Sequence, residues 1–480
     1  MLSLFILIPL AGVILLNLPF GPAFRRCAFP VAVLLAVAQI VIALLAPAGW
    51  AAPGQLDSFL KLNLAATDLS RVLLLATGLV LFTTFLVGWN MMQEARARFN
   101  FINVLLLALI GMNGVVLVTD LFSLYVFIEV TAIASFVLIA FDRRKHALEG
   151  AFKYIVLSAV ATILMIGSVA LLLLVAGGTS FASVAAALKA AGASPIPILA
   201  VGGFLCGLFI KGGIVPFHGW LPDAYSAAPA PVSIFLAGIA TKVSGIYALI
   251  RLTADTGAGA GLTGVFPPSY AFTQVILLVG AVSIVVGALA AIVQTDLKRM
   301  LAYSSISQVG YIVIGLGAGP LGVAGSVFHL FNHALFKSLL FVNSAAVEQR
   351  LGTTDMNRLR GLGSRMPVTG VTSLIASLST AGIPPLSGFW SKLIIIIALW
   401  QTGHHVYAGI AVLFSVVTLG YFLLMQRRLF FGKVADEFAH VREAGFGIVV
   451  PAVLLAFLTI AVGLAFPWIL NTFVLPIAGL

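Results

Sequence analysis

Unbroken apolar runs of about 20 residues recur from one end of the chain to the other, and little besides a helical bundle in a lipid bilayer can accommodate them. Bounded by charges, Pro or Gly, they give about fourteen spans. These lie roughly at 2–20, 28–48, 69–91, 99–118, 121–141, 150–176, 197–218, 230–251, 271–293, 301–317, 321–347, 367–401, 406–428 and 446–469. The alternating pattern of a β-barrel is absent. With 61% hydrophobic and 9% charged residues, a 480-residue soluble protein would lack the charge its surface needs. The expected class is an all-α polytopic membrane protein. The opening MLSLFILIPLAGVILLNLPF lacks a basic flank and a cleavage site, so it reads as a first span and not as a signal peptide.

A net charge of +11 would suggest nucleic acid in a soluble protein, but here it reports topology, and no nucleic-acid partner is expected. Of the 26 lysines and arginines, 17 fall in loops after spans 1, 3, 5, 9, 11 and 13, among them Arg25, Arg26, Arg143, Arg144, Lys298 and Arg299. The opposite side holds Lys61, Arg71, Lys189 and Arg251. Positive charge lies inside, so both termini are expected on the outer side. The two cysteines, Cys27 and Cys206, stand alone in apolar settings, which gives no support for a disulfide, an iron-sulfur cluster or a zinc site. Neither a cofactor nor a metal is expected.

The run 367–401 is too long for one straight span and is broken at GIPPLSG. That break echoes an earlier one, GIVPFHGW, with Gly, Ile, Pro and Gly in register 169 residues before it. The break residues are Gly212, Gly213 and Pro216 in one half, Pro384 and Pro385 in the other. The breaks fall in spans 7 and 12, an odd step of five, so the two units must cross the membrane in opposite directions. This is the pattern of inverted five-helix repeats with discontinuous helices 7 and 12, an arrangement that holds ion sites in transporters. The implied segments are 1–98, 99–252, 271–430 and 446–480.

Charges inside spans are costly, roughly 2.5–3.5 kcal/mol each even on the lenient insertion scale, and mark functional candidates. Lys211 and Lys242 lie about a dozen residues into their spans, too deep for easy snorkelling. Glu129, the acid well within a span, is the most economical partner for Lys211. The proton affinity of a lysine so placed depends on the distance to that carboxylate. A permanent structural ion pair is the plainer reading of the same residues.

His329, His333 and Lys337 are spaced i, i+4, i+8 and stack on one helix face, with Asn332 adjacent. Histidine both donates and accepts near neutral pH, which suits a proton relay. Metal binding would need further ligands that are missing, and helix–helix hydrogen bonding is the bland alternative. Lys392 follows the second break, whereas Lys211 precedes the first, so the two are not equivalent positions of the repeat. The second half also lacks a counterpart of Glu129. Lys153, at the start of a span, and His218, at the end of one, are secondary candidates with interface or capping roles as their ordinary explanation.

The phrases KGGIVPFHGWLPDAYSAAPAPVSIFLAG, FHLFNHALFKSLLF and AGIPPLSGFWSKL, with the span-5 glutamate, resemble the antiporter-like subunits shared by respiratory complex I, Mrp-type cation/proton antiporters and membrane-bound hydrogenases. The resemblance covers nearly the whole chain. It implies fourteen helices and a hydrated polar axis at the membrane midplane. Glu129 and Lys211 match the family's paired glutamate and lysine, Lys242 its bridging lysine, His329, His333 and Lys337 its central relay, and Lys392 its distal lysine. Lysine at 392 is similar to the Mrp D-type protein and to the complex I subunits nearest to or farthest from the quinone arm. The chain ends without the long lateral helix of the most distal complex I subunit, so the resemblance leaves an Mrp D-type protein, a hydrogenase or formate-hydrogenlyase membrane subunit, or the quinone-proximal complex I subunit.

The function expected is proton translocation by one subunit of a larger complex in the bacterial inner membrane. Related antiporter-like subunits and other membrane subunits would be its partners, with H⁺, and Na⁺ as a second candidate, as the ion. Moving one charge against 100 mV takes about 2.3 kcal/mol, and the sequence offers no nucleotide or redox site to supply it. A stand-alone transporter of a small solute is the alternative, but it would predict parallel six-span halves. A third reading is an inactive scaffold.

Overall fold

A computed structural model describes residues 2–18, 27–45, 62–190, 194–253, 270–434 and 436–477. Arg25, Arg26 and Lys61 of the charge count, and the last residues of segment 446–480, lie outside the described residues. Helices form where the apolar runs lie. The chain opens with Leu4–Asn17 (α1) and Ala28–Leu45 (α2), then Asp68–Met91 (α3), Ala95–Leu117 (α4), Leu121–Ile139 (α5) and Lys145–Ala176 (α6). Phe181–Ala190 (α7) leads to Pro195–Gly212 (α8), Trp220–Ala227 (α9) and Ala230–Thr253 (α10). The remainder is Tyr270–Ile292 (α11), Leu297–Leu316 (α12), Gly319–Leu351 (α13), Pro367–Ala381 (α14), Ser387–Gln401 (α15), His405–Phe430 (α16) and Phe446–Leu464 (α17). Among the described residues, eleven helical stretches, taking α8 and α9 together, are long and apolar enough to cross a membrane.

Burial sorts these helices into a centre and a rim. The apolar window of α10 is 100% buried and that of α13 94% buried, whereas only 28% of the α6 window is. Of the eleven, α10 and α13 are the least apolar, and they carry four of the seven candidate groups, Lys242, His329, His333 and Lys337; inside a bilayer such groups belong within the bundle, away from lipid. Two helix starts share one device. Thr119, Asp120 and Leu121 open α5, and Thr295, Asp296 and Leu297 open α12; each aspartate accepts a hydrogen bond at 2.8 Å from the backbone N–H three residues on. Each aspartate also pairs as an isolated bridge with a distant loop, Asp120 with Ser180 and Asp296 with Asp355.

Both sequence breaks are real interruptions. At the first, α8 ends on Gly213 with φ +65°; at the second, α14 ends on Gly382 with φ +87°, a region that favours glycine. The peptides Val215–Pro216 and Pro384–Pro385 are cis. Broken turns free backbone carbonyls, and side chains take them up. The Trp220 indole donates to the Ile210 carbonyl at 3.0 Å, and Lys392 donates to the Ala381 carbonyl at 3.4 Å.

Three features depart from the sequence reading. The seventh span continues past the break as α9, beyond the boundary expected at 218. The loop between the sixth and seventh spans contains α7, a ten-residue helix. Inside α10 the hydrogen-bonding widens to π geometry at Leu236–Ala240 and Lys242–Tyr247, a form concentrated at functional sites.

Candidate functional site

The lysine predicted to need a partner has one. Lys211, on the last turn of α8, is fully buried and its Nζ lies 2.7 Å from Glu129 Oε1 on α5. Two hydroxyls complete the shell: Lys211 donates to Ser158 Oγ at 2.6 Å, and Thr162 donates to Glu129 Oε1 at 2.8 Å. Ser158 and Thr162 stand four residues apart on α6, one turn of one face. The sequence reading missed them, since hydroxyl pairs four residues apart are common in apolar spans and only packing shows which ones meet a lysine.

Lys242 sits at the start of the second π turn, equally buried. The Thr241 hydroxyl lies 3.2 Å from its Nζ and the centre of the Tyr225 ring 5.8 Å away, and no carboxylate lies within salt-bridge distance among the described residues. Tyr225 and Thr241 share a 2.7 Å hydrogen bond. Close contact between the two lysine-bearing helices is set by backbone. A Cβ on Gly245 would lie 2.4 Å from both Gly212 Cα and Gly212 N.

On α13 the expected stripe is present and wholly buried. His333 lies within electrostatic range of Lys242 and Lys337, and His329 of Lys337 and Lys392. Lys337 donates to Ser304 Oγ and, at 3.3 Å, to the Leu301 carbonyl, both on α12. His329 Nδ1 is 2.9 Å from Ser391 Oγ on α15, and Asn332 donates to the Ser387 carbonyl at 3.0 Å. Both ring nitrogens of His333, His329 Nε2 and Asn332 Oδ1 have no partner among the described residues. Buried polar atoms in native proteins are almost always satisfied, by water where protein fails. Lys392, just beyond the second break, rests 4.3 Å from the centre of the Tyr311 ring.

Lys153 and His218 stand apart from this row. Lys153 belongs to a half-exposed ion cluster at the basic end of the bundle, 2.7 Å from both Glu149 and Asp223, and Asp223 lies 2.5 Å from Arg299 Nη1. The cluster ties α6, α9 and α12 together. His218 occupies a short 3₁₀ turn between the break and α9, half-buried. Among the described residues no three His, Cys, Asp or Glu side chains converge as a metal site.

Such a bundle, with Glu129, Lys211, Lys242, His329, His333, Lys337 and Lys392 inside its helices, defines a polytopic membrane protein with ionisable groups buried within its spans. The chain belongs to the NADH:quinone oxidoreductase/Mrp antiporter transmembrane family, whose pattern matches residues 118–418. It is 38% identical over 331 residues to the N subunit of NADH-quinone oxidoreductase from Desulforudis audaxviator, an alignment covering 69% of this chain and 64% of that one. It is 33% identical over 408 residues to the D-type Na(+)/H(+) antiporter protein of Alkalihalophilus pseudofirmus, covering 84% and 80%. A component of the Mrp complex from Dietzia sp. superimposes with a TM-score of 0.85 at 25% identity, covering 100% of this chain and 96% of that one.

Proposed function

We propose that this chain moves protons through the membrane as one subunit of a larger assembly. The carrying observation is the 2.7 Å Lys211–Glu129 pair inside the spans, followed by lysines and histidines that have no carboxylate of their own among the described residues. Opening or closing that pair changes the proton affinity of Lys211. The proton then passes by Lys242, His333, Lys337 and His329 to Lys392. Similarity to subunits of complex I-type and Mrp-type assemblies supports partner subunits as the source of the driving charge movement. The charge bias of the loops supports an orientation with both termini outward, and similarity to bacterial relatives supports placement in a bacterial inner membrane.

The repeated Gly-Ile-(x)-Pro breaks and the repeated Thr-Asp-Leu helix starts support two five-helix units inserted in opposite senses. Protons fit the row better than Na⁺, because a hard cation needs oxygen ligands and Glu129 is the row's carboxylate. The experiment is Lys211→Ala or Glu129→Ala in the intact complex, with driven pumping measured in vesicles. Loss of pumping at normal assembly is expected, and unchanged pumping would sink the reading.

A further inference from the structure

By its place in the sequence Arg251 is an ordinary flanking cation, but the structure buries it: it is 7% exposed and has no carboxylate within salt-bridge distance among the described residues. Its Nη1 donates to the Val116 carbonyl at 3.2 Å. That carbonyl, at the end of α4 where intrahelical donors run out, also accepts from Tyr247 Oη at 2.8 Å and Ser70 Oγ at 3.3 Å. Tyr247 and Ser70 are themselves 3.3 Å apart, and both are buried.

The guanidinium is roofed by the Phe181 ring, 4.8 Å away. Phe181 begins α7, and its N–H donates to the Thr119 carbonyl at 3.1 Å, which pins the roof to the α4–α5 turn. From the other side, Thr119 N–H reaches the Asn63 carbonyl at 3.1 Å. Asp120, half-exposed and engaged in capping α5, is the acid in electrostatic range. This end of the bundle is opposite the Lys153–Asp223–Arg299 cluster, because α5 starts here and ends at Ile139, before α6 begins at Lys145.

Lys242, Tyr247 and Arg251 follow one another on α10, five and then four residues apart. Each step is somewhat more than one turn, so Tyr247 and then Arg251 stand successively nearer this end of the bundle than Lys242. A proton on Lys242 that left by this route would meet a phenol whose O–H is committed to Val116 and then an arginine that does not deprotonate. Fixed arginines in pores repel protons and cations.

We propose that Arg251, held by Val116, Tyr247 and Ser70 beneath Phe181, is an electrostatic seal that keeps protons on Lys242 from escaping through this end of the bundle. The seal rests on the relay reading, since it guards a proton that the relay carries. It also gives a purpose to a buried cation that the relay does not use.

The test is passive proton leak in vesicles holding the whole complex, with no energy source and an imposed pH gradient. Arg251→Gln should raise the leak at least about tenfold, since a unit charge a few ångströms from the path is worth more than that factor at protein dielectric. Arg251→Lys, whose buried ammonium can give up its proton, should leak to a degree between the native complex and Arg251→Gln, and Lys242→Met added to Arg251→Gln should abolish the new leak. An assembled Arg251→Gln complex as tight as the native one overturns the proposal, as does a leak that survives loss of Lys242. If Arg251→Gln fails to assemble, Phe181→Ala, which opens the roof and leaves the charge, must give a smaller leak that also requires Lys242. Unchanged driven pumping in Lys211→Ala would refute the relay instead, so the two failures are separable.

Discussion

Lys211 and Glu129 form a lopsided pair: across 2.7 Å, the lysine side chain is fully enclosed while the glutamate keeps 20% of its surface exposed. Phe122, Val126, Ile133 and Val137, on the same face of α5, are 39–58% exposed, so the carboxylate is the end of the pair within reach of a neighbour. Glu129→Gln should therefore abolish driven pumping, and Glu129→Asp, which keeps the charge but withdraws it by one methylene, should retain part of it. Removing one partner of a buried pair costs about 3–5 kcal/mol when the other stays charged. Pumping assays at matched assembly levels test this, and equal loss in Gln and Asp variants would show that geometry alone matters.

Gly245 is predicted to be sensitive out of proportion to its size. A methyl group there would lie 2.4 Å from the Gly212 backbone, where no flexible side chain can yield. Gly245→Ala should lower the unfolding temperature by an amount corresponding to about 1–3 kcal/mol and slow proton transfer between Lys211 and Lys242. Thermal denaturation of the purified complex and single-turnover proton uptake measure the two effects separately.

The Lys153–Asp223–Arg299 cluster should behave as an interface fastening. Side chains of Lys153 and Arg299 are 42% and 38% exposed, so solvent screens both pairs and each contributes little. Lys153→Ala should lower the unfolding temperature only slightly, the loss shrinking at high salt, with pumping rates close to native. A collapse of pumping at normal assembly would instead place Lys153 on the proton path.

Gly382 combines a left-handed backbone with a near neighbour, since an added Cβ would come within 3.1 Å of Lys392 Cδ. Gly382→Ala should destabilise by about 1–2 kcal/mol from the backbone alone and shift Lys392 against Tyr311. Thermal unfolding gives the first effect. Proton release at the end of the relay, followed by a pH indicator on that side, gives the second.

Much of this site is legible in the sequence because charges in hydrocarbon are scarce enough to be matched by elimination. Glu129 and Lys211 pair on that ground, and the glycines and prolines of the breaks carry their own backbone demands. The hydroxyls of Ser158, Thr162, Ser304 and Ser391 are not legible, since serine and threonine are common in spans and only tertiary packing shows which ones face a lysine. The π turns of α10 have no composition that separates them from α-helix. Arg251 misleads for a related reason: proximity to a span end suggests water, and only the fold places Phe181 above it.

Both ring nitrogens of His333 face the bundle interior with no partner among the described residues, and Asn332 Oδ1 and His329 Nε2 share that condition. Buried polar atoms that protein leaves unpaired are ordinarily met by water, which makes hydration an expected requirement of this row. Water activity becomes a control variable beside voltage and pH, so solutes too large to enter should throttle transport by osmotic withdrawal while leaving every residue in place.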